Sequence, residues 1–220
     1  MIARLVGSEM CIRDRFEKNQ FDTIYHEHYS YLSLTAVNAI FNSNGLHIYD
    51  VEQIDTHGGS LRVFAERNDS FREKRQSKMV NDLLAKEKVD GYLSERAYLG
   101  FQEVAEKAKN ELVNFLITVK EKGKSVCAFG AAAKGNTFIN FAGIRPDLIS
   151  VVADSNPAKQ GKFMPGSRIP IVSEDVLVSY KPDYVIILPW NLKEEISSNL
   201  SYMRDWGCQF VVGIPKLEIL

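Results

Sequence analysis

Four side chains able to donate, accept or hold a proton stand in a row at Tyr25-His26-Glu27-His28, inside an aromatic stretch over residues 21–31. Imidazole changes charge near neutrality, with an unperturbed pKa of roughly 6.5. Two chemistries use such a set. In extended backbone, residues two apart share a face, so His26 and His28 would point one way and Tyr25 and Glu27 the other. A metal site would take the two imidazoles and recruit Glu27 or His57 as a third ligand. A proton-transfer site would use one histidine as base, with Glu27 and a tyrosine orienting it or the substrate. Metal-binding His-x-His pairs of this kind belong to barrels, and the chain has too few strands for one, which favours proton transfer. Two purely structural histidines are the third reading.

A second constellation lies at Gly130-Ala131-Ala132-Ala133-Lys134-Gly135-Asn136, after the apolar run of residues 125–129 and before a helical pattern over residues 137–141. Strand, glycine turn and helix together aim backbone N–H groups and the positive end of a helix dipole at a phosphate. Gly130, Ala132 and Gly135 keep the GxGxxG spacing, but Ala132 puts a methyl where the middle glycine lets a pyrophosphate approach. Lys134 adds a cation, and Asp154 ends the next strand, where an acid can hold a ribose hydroxyl. The loop therefore binds a nucleotide or other phosphate, or is a packing turn that binds nothing. The loop Asn156-Pro157-Ala158-Lys159-Gln160-Gly161-Lys162 and the turn Pro189-Trp190-Asn191 fall on the same carboxyl edge. There Lys159 and Asn191 can meet a ligand, or be solvated and cap a helix.

The elements that must position these residues follow from periodicity. Residues 33–44 read as a helix with Ser33 as N-cap and Gly45 at its stop. Residues 46–54 and 61–65 alternate as two strands, joined by a connector whose Gly58-Gly59 permits a tight or bulged turn. Residues 69–122 are charged and helical, divided near Gly91, with a core-facing stripe that includes Val104, Ala105, Ala108, Leu112, Leu116 and Val119. From residue 125 onward strands and helices alternate: strands at 149–153, 184–188 and 209–213, and a helix over 192–205. At least four parallel strands result. The fold class is α/β, a Rossmann-like doubly wound parallel sheet preceded by a helical linker and an antiparallel strand pair.

Composition narrows the partners. In 220 residues, 45% are hydrophobic and 25% charged, as in soluble globular chains, and the net charge is -1 with dispersed basic residues. Neither a nucleic acid nor a membrane is expected as partner, no apolar run is long enough to span a bilayer, and the cytoplasm is the default location. Cys11, Cys127 and Cys208 show no CxxC spacing, and Cys127 and Cys208, in or beside apolar strands, read as small buried hydrophobes. Residues 1–15 carry neither helical nor strand period, and Val6 to Arg15 resembles a translated sequencing-adapter segment found in assembled environmental sequences. Native protein is then expected from about Phe16.

With these residues in view, residues 16–220 resemble the C-terminal half of the sugar C-methyltransferases that use S-adenosylmethionine. The stretch of residues 21–31 is similar to that family's catalytic segment, and Thr56-His57-Gly58-Gly59-Ser60-Leu61-Arg62-Val63 to a second motif. The Gly130 loop, residues 154–166 and Pro189-Trp190-Asn191 are similar to its C-terminal Rossmann-like domain. The resemblance implies that His28 removes the proton alpha to the ketone of a nucleotide-linked keto-sugar, assisted by Tyr25 and Glu27; His57, beside two glycines that permit close substrate approach, is a second donor to the enolate on physical grounds. Gly130, Ala132, Lys134, Gly135, Asn136, Asp154, Lys159 and Asn191 would hold the substrate's nucleotide, and no metal is expected here. It implies a remnant of the methyltransferase domain at 16–68, a helical linker at 69–122 and the Rossmann-like domain at 123–220. The glycine loop for S-adenosylmethionine would lie upstream, so the chain alone is not expected to methylate. The competing reading is a nicotinamide-nucleotide module or reductase using the Gly130 loop. Ala132 and the lack of a Tyr-x-x-x-Lys pair weigh against it.

Overall fold

The computed structural model describes residues 4–54, 58–69 and 76–220. The chain forms two compact units, one of Met1–Lys18 with Glu27–Phe101 and one of Asn19–His26 with Gln102–Leu220. Among the described residues no helix is long and apolar enough to cross a membrane.

In the first unit helix α2 (Leu34–Ser43) starts as its sequence dictates: Ser33 is extended and its hydroxyl accepts the Ala36 N–H at 3.1 Å. Gly45, at φ +72°, lets the chain reverse into β2 (Leu46–Ile54). This strand pairs antiparallel with β3 (Ser60–Arg67), from Leu46 opposite Arg67 to Ile54 opposite Ser60, with an irregularity between Ile48 and Asp50. The other edge of β3 is taken by β1 (Arg4–Met10), antiparallel from Arg4 opposite Glu66 to Met10 opposite Ser60. The strand pair read from the sequence is thus a three-stranded sheet, order β1-β3-β2. A strand forms where no side-chain period announces one because an unpaired sheet edge offers backbone donors and acceptors to any segment beside it. Short helix α1 (Ile12–Glu17) follows.

Helix α3 (Lys78–Val89) closes this unit, packing Val80 and Leu83 against Leu34, Val37, Ile48, Val51, Leu61, Val63 and Ala65. Its Glu87 is fully buried and caps α2 from outside. The carboxylate accepts the N–H groups of Leu34 at 2.7 Å and Thr35 at 2.8 Å, and the Thr35 hydroxyl at 2.6 Å. Those N–H groups have no partner inside their own helix, and a negative charge is favourable at that end.

The second unit is α/β. Helix α4 (Phe101–Glu121), which enters this unit at Gln102, buries Ala105, Ala108, Leu112, Leu116 and Val119 in steps of three and four. Val104, counted in the stripe by sequence, is exposed because it sits one residue off that face. Then come β4 (Val126–Phe129), α5 (Ala133–Phe141), β5 (Val152–Ala153), β6 (Ile171–Val172), α6 (Glu174–Tyr180), β7 (Tyr184–Ile187), α7 (Lys193–Asn199), β8 (Gln209–Val212) and β9 (Glu218–Ile219). Strand order is β6-β5-β4-β7-β8-β9, parallel except for β9, which runs antiparallel along the edge. The order reverses between β4 and β7, the switch point at which doubly wound sheets open a crevice at their carboxyl ends. The expected helix over 192–205 is broken at Leu200 into α7 and a 3-10 turn, Ser201–Trp206. Ser197, Ser198 and Asn199 prefer local side-chain bonds over helix continuation, which accounts for the break.

All three cysteines are free and buried, Cys127 and Cys208 as their apolar strands predict. Burial pushes the Cys127 thiol up to about 12 and that of Cys208 to about 11, and raises that of Cys11.

Candidate functional site

The carboxyl edge of the second unit is built around Gly130. At φ +94° it takes a conformation closed to most side chains, and a Cβ there would overlap the ring of Pro189 at the end of β7's loop. Gly135 serves another purpose: an added Cβ would lie 2.7 Å from the Leu188 Cβ, so its bare backbone lets α5 settle on the sheet. These are two of the three glycine roles in a phosphate-binding turn. The third position, Ala132, is extended at φ −109° and ψ 167° and forms the N-cap of α5 without a side-chain cap.

Two clefts flank this turn, both within the second unit. The larger, about 490 Å³, is bounded by Gly130, Ala132, Asp154, Asn156, Lys159 and Glu174, among others. The smaller, about 320 Å³, is bounded by Tyr25, His26, Ala132, Asn136, Thr137 and Lys159, with Met164, Pro165 and Ile171 as apolar wall. Ala132 and Lys159 belong to both.

Lys159 is fixed on that divide. Its ammonium donates to the Ala131 carbonyl at 2.9 Å and pairs with the Asp154 carboxylate at 3.0 Å. The other Asp154 oxygen accepts the Asn156 N–H at 2.9 Å, and the Asn156 side chain accepts the Ala158 N–H at 3.0 Å. Two successive Asx turns therefore shape the loop after β5. A carboxylate has about four lone-pair sites, so Asp154 keeps acceptor capacity toward the larger cleft.

Lys134 and Asn191 meet across the switch point, Nζ to Oδ1 at 3.1 Å, and the same ammonium lies 5.0 Å from the centre of the Trp190 ring. The Trp190 indole N–H donates to the Asp22 carboxylate at 2.7 Å. Asp22, only 1% exposed, sits in a 3-10 turn, Phe21–Thr23. Phe21 contacts Phe138 and Phe141 of α5, ring centroids 5.4 and 5.2 Å apart. This packing brings Tyr25 and His26 to the smaller cleft, their rings 6.2 Å apart.

The Tyr25-His26-Glu27-His28 cluster is divided between units: Tyr25 and His26 belong to the second, Glu27 and His28 to the first. Residues 25–27 turn and do not extend, so the alternation of faces expected for the four side chains does not hold. Glu27 is exposed; His28 is half-buried, with an edge-on ring contact to Tyr31 at 6.3 Å. His57 lies outside the described residues. Among the described residues no three His, Cys, Asp or Glu side chains gather as metal ligands. Sequence reasoning missed Asp22 and Thr137 as neighbours of the site, and weighed His26 only within the histidine cluster, since their place depends on packing between residues far apart in the chain. The Asp-x-Asn spacing before Pro157 was the available signal for the Asx turns that seat Lys159.

A family model described as the C-methyltransferase C-terminal domain matches residues 55–215. The chain is also 37% identical over 204 residues to the C-methyltransferase NovU of Streptomyces niveus, covering 93% of this chain and 48% of that protein. The chain thus spans about half the length of the curated relative it matches.

Proposed function

The chain belongs to the C-methyltransferase C-terminal domain family, and from that premise we propose that it works as the C-terminal part of an S-adenosylmethionine-dependent sugar C-methyltransferase. In this reading residues 16–68 are the end of a methyltransferase domain, and the second unit holds the nucleotide of a nucleotide-linked keto-sugar. The observation that carries it is the pair of clefts around the Gly130 turn, with Lys159 fixed between them.

His28 is the base that takes the proton alpha to the ketone. That proton is too weakly acidic for neutral imidazole unless the developing enolate oxygen is met by donors in the transition state. The phenol of Tyr25 supplies one such donor and His57 a second, while Glu27 assists the base. Gly130, Ala132, Gly135, Asn136 and Asp154 frame the nucleotide site; Lys134, Asn191 and Lys159 supply charge and hydrogen bonds to phosphate and ribose. S-adenosylmethionine would supply the electrophilic methyl group. Among the described residues of the first unit no strand runs through a glycine-rich turn into a helix of the kind that cradles it, so no step of methyl transfer is assigned to this chain.

Titration calorimetry of the 220-residue chain tests the nucleotide reading. Thymidine diphosphate is expected to bind with micromolar affinity and NADH to give no signal. Heat from NADH and none from thymidine diphosphate would favour a nicotinamide module, which the family match does not favour.

A further inference from the structure

A third hollow of the second unit, about 460 Å³, shares no residue with the two clefts around Gly130. It lies between the first half of α4 and the chain that follows β8, where Val104, Ala108, Pro215 and Leu217 give it an apolar wall. Charged groups border that wall: Lys107 and Glu111 from α4, and Lys216 from the segment after β8. Among the described residues none of these three side chains forms an ion pair or a hydrogen bond. Lys107 and Glu111 stand four residues apart on one helix and still do not close on each other, the lysine-first order being the weaker one for such a pair.

Asn19 supplies a fourth polar group. It is 7% exposed and borders the hollow. Its Nδ2 donates to the Pro215 carbonyl at 3.2 Å, and its buried Oδ1 has no hydrogen-bond partner among the described residues. An interior acceptor without a donor costs free energy, which a donor arriving in the hollow would recover.

Two cations, a carboxylate and an amide oxygen around an aliphatic wall match a zwitterion. Lys107 and Lys216 suit a carboxylate, Glu111 and the Asn19 Oδ1 suit an ammonium, and Val104, Ala108 and Leu217 suit a hydrocarbon side chain. A plain anion would set like charge against Glu111, and a plain cation would do so at both lysines. We propose that this hollow is a site for a free α-amino acid with a large apolar side chain. The site lies outside the clefts that the nucleotide reading uses and does not depend on that reading.

The test is an NMR titration of the isotope-labelled chain with L-phenylalanine, with phenylalanine amide, which lacks the carboxylate, and with hydrocinnamate, which lacks the ammonium. Phenylalanine should bind with a Kd of about 1 mM. It should shift the Asn19 side-chain amide and the backbone amides of Lys107 and Leu217, and leave those of Gly130 and Asp154 in place. Each truncated analogue should bind about fivefold more weakly. Lys107→Gln should weaken phenylalanine about fivefold; Glu111→Gln should do the same and leave hydrocinnamate unchanged or tighter. Neither substitution removes a core contact, since both groups face the hollow. The proposal is overturned if phenylalanine at about 20 mM moves none of the three signals, if either analogue binds as tightly as phenylalanine, or if the two substitutions leave its Kd unchanged.

Discussion

Trp190 and Asp22 show how much a single pair carries. The indole N–H donates to a carboxylate almost wholly removed from water. Replacing Trp190 by Phe keeps a ring against the core of the sheet and deletes the donor. A hydrogen bond to a buried charged group is worth about 1.5–3 kcal/mol, and the desolvated partner left behind keeps its burial penalty. Trp190→Phe should therefore lower the free energy of unfolding by about 2 kcal/mol, read as a lower urea midpoint at unchanged slope. Asp22→Asn combined with Trp190→Phe should cost less than the sum of the two single changes; strict additivity would show that the bond carries no coupling. Neither partner is marked in the sequence: both occur inside motifs whose other members attract the chemistry. What is legible at this scale is local, such as Gly130's backbone conformation, Ser33's cap and the Asx spacing at Asp154 and Asn156. Asp22 and Trp190 are invisible because a long-range bond has no local pattern.

Secondary elements were legible in proportion to their periodicity. Helix α2, the strands β2 and β3, the division at Gly91 and the parallel strands all emerge from spacing and punctuation. Strands β6 and β9, each two residues long, and β1 do not, because short or edge pairing is decided by backbone partners. The same limit hides the cap that Glu87 of α3 places on α2. Three donors converge on its carboxylate at 2.6 to 2.8 Å. Glu87→Ala should destabilise the first unit by about 2–4 kcal/mol, since three donors lose a charged acceptor inside the core. Glu87→Gln, which retains one acceptor oxygen, should fall between. Hydrogen exchange at the Leu34 and Thr35 amides is the direct measurement; unchanged protection in Glu87→Ala would mean that water replaces the carboxylate without loss.

Across the whole molecule, the buried thiols make stability depend on alkaline pH. In the unfolded chain Cys127 and Cys208 ionise near the ordinary value of 9.0, whereas in the fold burial holds them up to about 12 and about 11. Below the unfolded value both states keep their protons and the fold has its full stability. Above it the unfolded state releases protons that the folded state retains, so stability must fall from pH 9 toward about 12. Urea midpoints across that window should decline, and Cys127→Ala should flatten the decline. A midpoint independent of pH there would mean that the thiols are reached by water in the folded state.

The 168-residue separation between Asp22 and Trp190 also orders events in time. Residues 19–26 leave the ribosome long before the sheet on which they come to rest. Until α5 and β7 exist, Phe21 has no aromatic partners and Asp22 no indole, so this short segment must wait in solution while the first unit assembles on either side of it. Loop closure over such a distance is slow. A second unit cut from the chain at Gln102 would lack the piece that finishes it, and would present Phe138 and Phe141 of α5 without the ring that packs between them. The smaller cleft, which Tyr25 and His26 share with Ala132, Asn136 and Lys159, is thus complete only when the two ends of this unit have met.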